Sequence, residues 1–409
     1  MTQTTDPMAN CCADIVILGG GIAGLWLLNH LKAKGYSVLL FESTALGDGQ
    51  SVASQGIIHG GLKYALSGTL SGTARAITGM PDRWRACLAG NDPVDLRGCQ
   101  LLSENYYMWS EGSYRSKLKT FLGSNMLSGR IDLVTDPDYP EELALARGQG
   151  SLYRLPDFVV DTVSLLKTLA KGNEERIFRL DSTQAEFVQQ GQNRQLLVRA
   201  GDSPITVTAQ RFIFAAGEGN AKLLKDIGLA SPVMQRRPLN MVIMRKESLP
   251  RLFVHCIGDN FSLTPQLTLT SHSSNDGQVA WYLGGELAES GVHRTDREQI
   301  EEADHLLRRL FPWVDIENAE WTCLRIDRAE GRQQGQHRPD SVFLETADNV
   351  LVAWPTKFTL SPALADEVSD ALASQGIEPA VAPHVESLIS RLDQVKVALP
   401  PWEACDEHT

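Results

Sequence analysis

The sequence predicts an α/β protein in which a nucleotide-binding domain is interrupted by a second, β-rich part of α+β character. Two observations carry this. Residues 14–42 read DIVILG, GGIAG, LWLLNHLKAKG and YSVLLFE: an apolar run ending in glycine, a segment with apolar residues at helical spacing, and another apolar run. Further along, NMVIMR and VAWYLGGEL have the branched and aromatic content of sheet strands.

Taken in order, the first run reads as a buried parallel strand, the next segment as a helix stopping at Gly35, and the last as a second strand ending at Glu42. Gly19, Gly21 and Gly24 fit G-x-G-x-x-G at the strand-to-helix turn of this βαβ unit. Their missing Cβ atoms permit the turn, close approach of a pyrophosphate, and tight helix-to-strand packing. The amides of the helix N-terminus, around Ile22 and Ala23, then face a phosphate. Glu42, followed by Ser43, lies where a carboxylate accepts hydrogen bonds from a ribose 2′-hydroxyl and repels an NADP 2′-phosphate. The alternative is a glycine turn without a ligand; the order of strand, turn, helix, strand and acid favours a Rossmann-like dinucleotide site.

The stretch GQSVASQGIIHGGLKYAL, residues 49–66, bears on which dinucleotide. An NAD domain passes from its second strand into further βα units, whereas this chain runs into a glycine and serine loop. The loop offers backbone amides and the hydroxyls of Ser51 and Ser54 to an extended ligand, with Gln55, Gly56 and Ile57 on the same run. FAD is the better match.

With these residues the chain resembles the FAD-dependent oxidoreductases of the D-amino-acid oxidase type, and within them flavin-linked glycerol-3-phosphate dehydrogenases and L-2-hydroxyglutarate oxidases. IIHGGLKY, residues 57–64, is similar to the histidine-Gly-Gly segment beside the flavin ring in those dehydrogenases. RFIFAAGEGNAKLL, residues 211–224, resembles the second dinucleotide-contact strand, which implies cofactor contacts at Ala216 and Gly217 and, on the preceding segment, at Val188. VLVAWPTKFTLSPALADEV, residues 350–368, occupies the place of the C-terminal flavin segment. Most relatives put glycines at its turn, where this chain has Pro355, Thr356 and Lys357; Lys357, Phe358 and Thr359 align with a Gly-Gly-Lys-aromatic-Thr pattern. The resemblance spans about residues 12–375, without the extra C-terminal helical domain of bacterial glycerol-3-phosphate dehydrogenases.

This placement implies an FAD-binding domain built from residues 12–80, 155–232 and 325–375, a substrate domain from 81–154 and 233–324, and a C-terminal helix and tail over 376–409. Asp161 is expected to cap a helix with Val163, Leu166 and Leu169 on one face. Two β-rich segments then fall in the substrate domain.

A flavin needs a substrate C–H bond placed against it and one proton managed. His59 is the candidate base, since its reference pKa lies near the working range and the flanking glycines let the ring approach. The alternatives are an imidazole that only hydrogen-bonds backbone or flavin, and covalent attachment of the flavin. CLRIDRAEGR, residues 323–332, resembles the segment from which relatives direct an arginine at the substrate anion, which implies Arg325, with Arg328 and Arg332 as neighbours whose other reading is surface ion pairing. Lys357 either stabilises negative charge at the flavin or substrate, or is a solvated helix-start lysine. Lys63 and Tyr64 rank lower.

The expected function is an FAD-dependent oxidoreductase acting on a small anionic substrate, a 2-hydroxy acid or polyol phosphate. Hydride passes to flavin, His59 accepts the hydroxyl proton, Arg325 and Lys357 anchor the anion, and electrons leave to oxygen, a quinone or another acceptor. An amino-acid or amine oxidase, and a non-catalytic FAD-binding protein, are the alternatives.

Composition agrees with a soluble enzyme of two or three domains: 409 residues, 43% hydrophobic and 22% charged. The formal charge of −12 disfavours nucleic acid as a partner, and an anionic ligand needs a locally basic pocket. No apolar run is long enough to span a membrane, and MTQTTDPMANCC lacks the basic start and apolar core of a signal peptide, so a cytoplasmic protein is expected. Seven cysteines without zinc spacing predict reduced structural thiols and no metal.

Overall fold

The structure, a computed structural model, describes residues 9–61, 77–111, 131–258 without 192 and 202, 264–332, and 341–403 without 381 and 384. Lys63, Tyr64 and Cys405 lie outside the described residues.

The first sheet has a parallel core of five strands: β1 (Ala9–Leu18), β2 (Val38–Glu42), β3 (Ile177–Arg179), β4 (Ile205–Phe214) and β5 (Val350–Trp354). Their spatial order is β3-β2-β1-β4-β5, with every neighbouring pair parallel. Such strands are covered on both faces, which is why Ile15, Val16 and Ile17 are all fully buried and the sequence shows no alternation. The hairpin Ala185–Gln190 and Asn193–Val198 pairs with the start of β4, and Phe343–Ala347 pairs with β5.

One face of this sheet is covered by α1 (Ile22–Ala33), Thr162–Ala170 and Ser361–Ser374, whose Leu27, Leu31, Leu165, Leu166, Leu364 and Val368 share a core. Asp161 caps the second of these helices by accepting from Ser164 N at 2.6 Å. Its buried face runs through Leu165, Leu166 and Leu169, while Val163 is only partly buried. The opposite face holds Val16, Leu39, Phe41, Phe212 and Phe214.

The second sheet has eight strands in the order Glu320–Gly331, Met234–Lys246, Val279–Gly284, Leu267–Ser273, Val254–Ile257, Tyr106–Glu111, Gly150–Leu155 and Asp132–Leu133. Helix Asp296–Leu310 packs Ala303, Leu307 and Leu310 onto it, and starts in a capping box formed by Thr295 and Glu298. Glu320–Gly331 pairs with Met234–Arg245 along its whole length, so the expected boundary at 325 falls inside one strand of this sheet. Likewise, helix Met80–Leu88 starts at the expected break near 80 yet packs Trp84 and Cys87 into the core of the first sheet.

The tail joins the two parts. Leu46 N donates to Lys396 O at 2.8 Å and Ala398 N to Leu46 O at 3.0 Å on the first domain. Trp402 then stacks on His272, centroids 3.8 Å apart, in the core of the second.

Candidate active site

The carboxyl ends of β1 and β4 adjoin, with Ala215 N donating to Leu18 O at 2.9 Å. This is where strand order reverses direction, the usual ligand crevice of an open α/β sheet. Gly19 turns there with φ +114°, and a Cβ on it would sit 2.5 Å from Ala216 Cα. A Cβ on Gly24 would collide with Gly19 O, so this third glycine serves helix packing and does not line the cavity. Gly21, extended at the helix N-cap, leaves room beyond Ser51 Oγ, which accepts from Ile22 N at 2.9 Å.

Glu42 ends β2 in a dense set of donors. Its Oε2 accepts from Gly20 N at 2.6 Å, and Oε1 from Ser43 N at 2.7 Å and Thr44 N at 2.9 Å. A carboxylate has about four acceptor positions, so Oε2 keeps one for a ribose hydroxyl. Glu42, Ser43 and Thr44 all line the cavity described next.

That cavity, about 1200 Å³, is lined by Gly19, Gly21, Ile22, Ala23, Ser51, Ser54, Gln55, Ile57, His59, Ala216, Gly217, Lys357, Phe358 and Thr359. It exceeds the roughly 300–1,000 Å³ of a drug-sized site, as an extended dinucleotide with substrate requires. Besides Gly24, two cofactor-contact residues named from the sequence, Gly56 and Val188, lie off it. Gly56, at φ +71°, is required because a Cβ would strike Val160 O where the chain crosses that strand. Val188 is on the antiparallel hairpin and does not line the cavity; Leu180, Ser182 and Ala185 do.

The glycine and serine loop is a clamp between domains. Gln55 Nε2 donates to Tyr282 O at 2.9 Å and Thr268 O at 3.2 Å on the second sheet, while Tyr282 Oη donates back to Ala53 O at 2.9 Å. Ser54 Oγ accepts from Gly56 N at 3.2 Å. At the third contact segment, Thr356 takes φ +61°, the left-handed conformation that glycine ordinarily supplies, and its hydroxyl donates to Ser341 O at 2.7 Å. The turn geometry therefore survives the loss of glycine. Trp354 Nε1 ties this segment to the second contact turn by donating to Gly217 O at 2.9 Å.

Arg325 and Arg328 both reach the cavity lining, but each is engaged with an acid. Arg325 is half exposed and donates to Val292 O at 3.2 Å, Arg294 O at 2.6 Å and Asp296 Oδ1 at 3.0 Å. Arg328 pairs with Glu289 at 3.1 Å. Arg332 does not line the cavity.

Among the lining residues that the sequence reading missed are Gln50, Asp157 and His255. Gln50 Oε1 accepts from Ala329 N at 3.2 Å, holding the end of Glu320–Gly331 over the loop. His255 alternates with buried Val254 and Cys256 on its strand, a pattern that could have marked it. Its Nδ1 is 3.1 Å from Thr268 Oγ1, and its ring is 4.5 Å from that of Tyr106. Burial pushes its pKa down to about 4, so the imidazole is neutral at physiological pH. Burial also pushes the thiols of Cys11, Cys87 and Cys99 up to about 12, which suits inert structural cysteines.

A bare glycine turn, an acid at the end of β2 with an acceptor position to spare, and a cavity roofed by a second sheet define a two-domain dinucleotide-binding protein, and the residues present fit FAD. The family described as FAD dependent oxidoreductase (DAO) matches residues 14–371, and the chain belongs to it. The probable FAD-dependent oxidoreductase PA4991 of Pseudomonas aeruginosa is 43% identical over 391 residues, 95% of this chain and 97% of that one. The crystal structure of PA4991 superposes with a TM-score of 0.84 at 39% identity, covering 98% of this chain and all of that one (100%). The fold is shared more distantly by glycine oxidase from Geobacillus kaustophilus, with TM-score 0.63, 17% identity and coverage of 92% of this chain and 98% of that one. It is shared too by the FAD-bound L-α-glycerophosphate oxidase of Mycoplasma pneumoniae, with TM-score 0.62, 15% identity and coverage of 88% and 95%. The protein is an FAD-dependent oxidoreductase, and among its described residues no helix is long and apolar enough to cross a membrane.

Proposed function

We propose that the enzyme oxidises a small anionic alcohol, a 2-hydroxy acid or polyol phosphate, with His59 as proton acceptor and Lys357 as principal anion contact. The observation that carries this is the presence of both side chains on the one cavity that also touches Gly19, Gly21 and Glu42. Bound FAD supplies the two-electron acceptor for the substrate carbon. His59 takes the hydroxyl proton. Lys357 places a compact positive charge at the same cavity, which fixes the carboxylate or phosphate and so the carbon to be oxidised. Neutral His255 offers a hydrogen bond to a substrate oxygen without adding charge. Arg325 acts at the rim, since Asp296 and two carbonyls already hold its terminal nitrogens.

One observation favours a second reading, oxidation of an amino acid or amine. The Arg328–Glu289 pair presents both signs of charge to the cavity, which suits a zwitterion. Anaerobic mixing of the purified flavoprotein with a panel of 2-hydroxy acids, polyol phosphates and amino acids separates the two. Bleaching of the flavin by a hydroxy acid or polyol phosphate is expected; bleaching by amino acids alone, with an imino product, would replace the first reading with the second.

A further inference from the structure

We infer that Asp157 is a positioning residue for this oxidation: its buried carboxyl grips the turn that carries His59. The inference rests on the role proposed for His59.

Asp157 occupies the corner between Gly150–Leu155 and Phe158–Val160, and is 3% exposed although it lines the cavity. Its Oδ1 accepts from Gly60 N at 2.9 Å. Pairing of Ile57 with Val159 and Ile58 with Phe158 brings the two turns together. Gly60 is not demanded by space, since a Cβ there would meet only ordinary contacts, the nearest Pro81 Cγ at 3.5 Å. What Asp157 uses is the Gly60 N–H. Next to it, Gly61 bends the chain at φ +64°.

The corner is braced from outside. Arg85 donates to Pro156 O, the carbonyl beside Asp157, at 2.9 Å and lies 4.5 Å over the Phe158 ring. Among the described residues, Tyr106, whose hydroxyl is engaged by Val254 O and Leu269 O, is a further titratable group interacting with Asp157, and His59 lies in the gripped turn. One backbone donor and one indirect cation do not offset burial. Burial pushes the Asp157 pKa up to about 7, against the smaller lowering by Gly60 N–H and Arg85.

The sign of the consequence is fixed. An aspartate that titrates at 3.8 when unfolded and at about 7 when folded keeps its proton on folding, so the native state loses stability as pH rises through that window. Asp157→Asn removes the titration but retains an oxygen for Gly60 N–H. Its melting temperature is therefore expected to match wild type near pH 4 and to exceed it increasingly up to about pH 8. The bound-flavin spectrum of the wild type is expected to step near pH 7, and the step to vanish in Asp157→Asn at unchanged FAD content. In turnover, Asp157→Ala, which frees the turn, should slow flavin reduction by about tenfold or more at every pH. An Asn variant that follows wild type at all pH values in stability and spectrum overturns the inference, as does an Ala variant reduced at the wild-type rate. Stability and spectral titrations need no substrate, so they judge Asp157 separately from the role of His59.

Discussion

At the scale of single residues, Lys357 and Arg325 both line the cavity. Arg325 is half exposed, with Val292 O, Arg294 O and Asp296 on its terminal nitrogens, and Lys357 lies beside Phe358 and Thr359 in the segment between β5 and the last long helix. Loss of a charged hydrogen bond to substrate costs roughly 1.5–3 kcal/mol, so Lys357→Ala should raise the half-saturating concentration of an anionic substrate by about 10- to 150-fold. Arg325→Ala should change it by less than about threefold, as rim charges do. Steady-state kinetics of the two variants on one substrate decide the matter, and the reverse ranking would move the anion anchor to the rim. His59 could be named as a candidate from the sequence because the His-Gly-Gly run resembles a family segment, and it lines the cavity. Asp157 could not be so named, because Pro156-Asp157 reads as an ordinary turn and only the pairing of two distant strands brings its carboxyl to Gly60.

At the scale of elements, the unit β1–α1–β2 was readable because its glycines, helix stop and terminal acid are local signals. The limits of the substrate sheet were not. Glu320–Gly331 carries several charges in a strand whose partner lies about eighty residues away, so nothing local showed that the strand continues through residue 325. Thr356 gives the converse lesson: a turn that lacks glycine in the sequence keeps the left-handed geometry because a hydroxyl bond to Ser341 O supports it. The start of the sheet depends on Asp14, which accepts from Ser37 N at 2.9 Å, Gln210 Nε2 at 2.7 Å and Ala380 N at 3.0 Å, tying β1, β2, β4 and the tail. Burial alone would raise its pKa, but the hydrogen bonds from Ser37, Ala380 and Gln210 outweigh burial and lower it. A depressed carboxylate contributes stability that is present above its unfolded pKa and lost as pH falls through the folded one. Asp14→Asn should therefore cost about 1–3 kcal/mol at neutral pH, and the deficit should shrink below about pH 4; urea unfolding at both pH values checks it.

At the scale of the whole molecule, contacts among the described residues hold the two domains over one another. Gln55 donates to Tyr282 O and Tyr282 Oη donates to Ala53 O across the cleft, Gln50 holds Ala329, and the tail passes from Leu46 to the Trp402–His272 stack. The sequence placed the nucleotide turn and the loop that follows it, but the clamp between domains is a product of long-range contacts. This arrangement fixes the second sheet, with Met241, His255 and Thr268, as the roof of the cavity that holds His59. The proposed chemistry turns on that histidine. The most direct measurement is anaerobic stopped-flow reduction of the FAD-loaded enzyme by its best substrate, comparing wild type with His59→Ala at matched flavin content. Loss of a general base predicts a rate about 10²- to 10⁴-fold lower with an unchanged resting flavin spectrum; an unaltered rate would contradict the assignment of His59 as the proton acceptor.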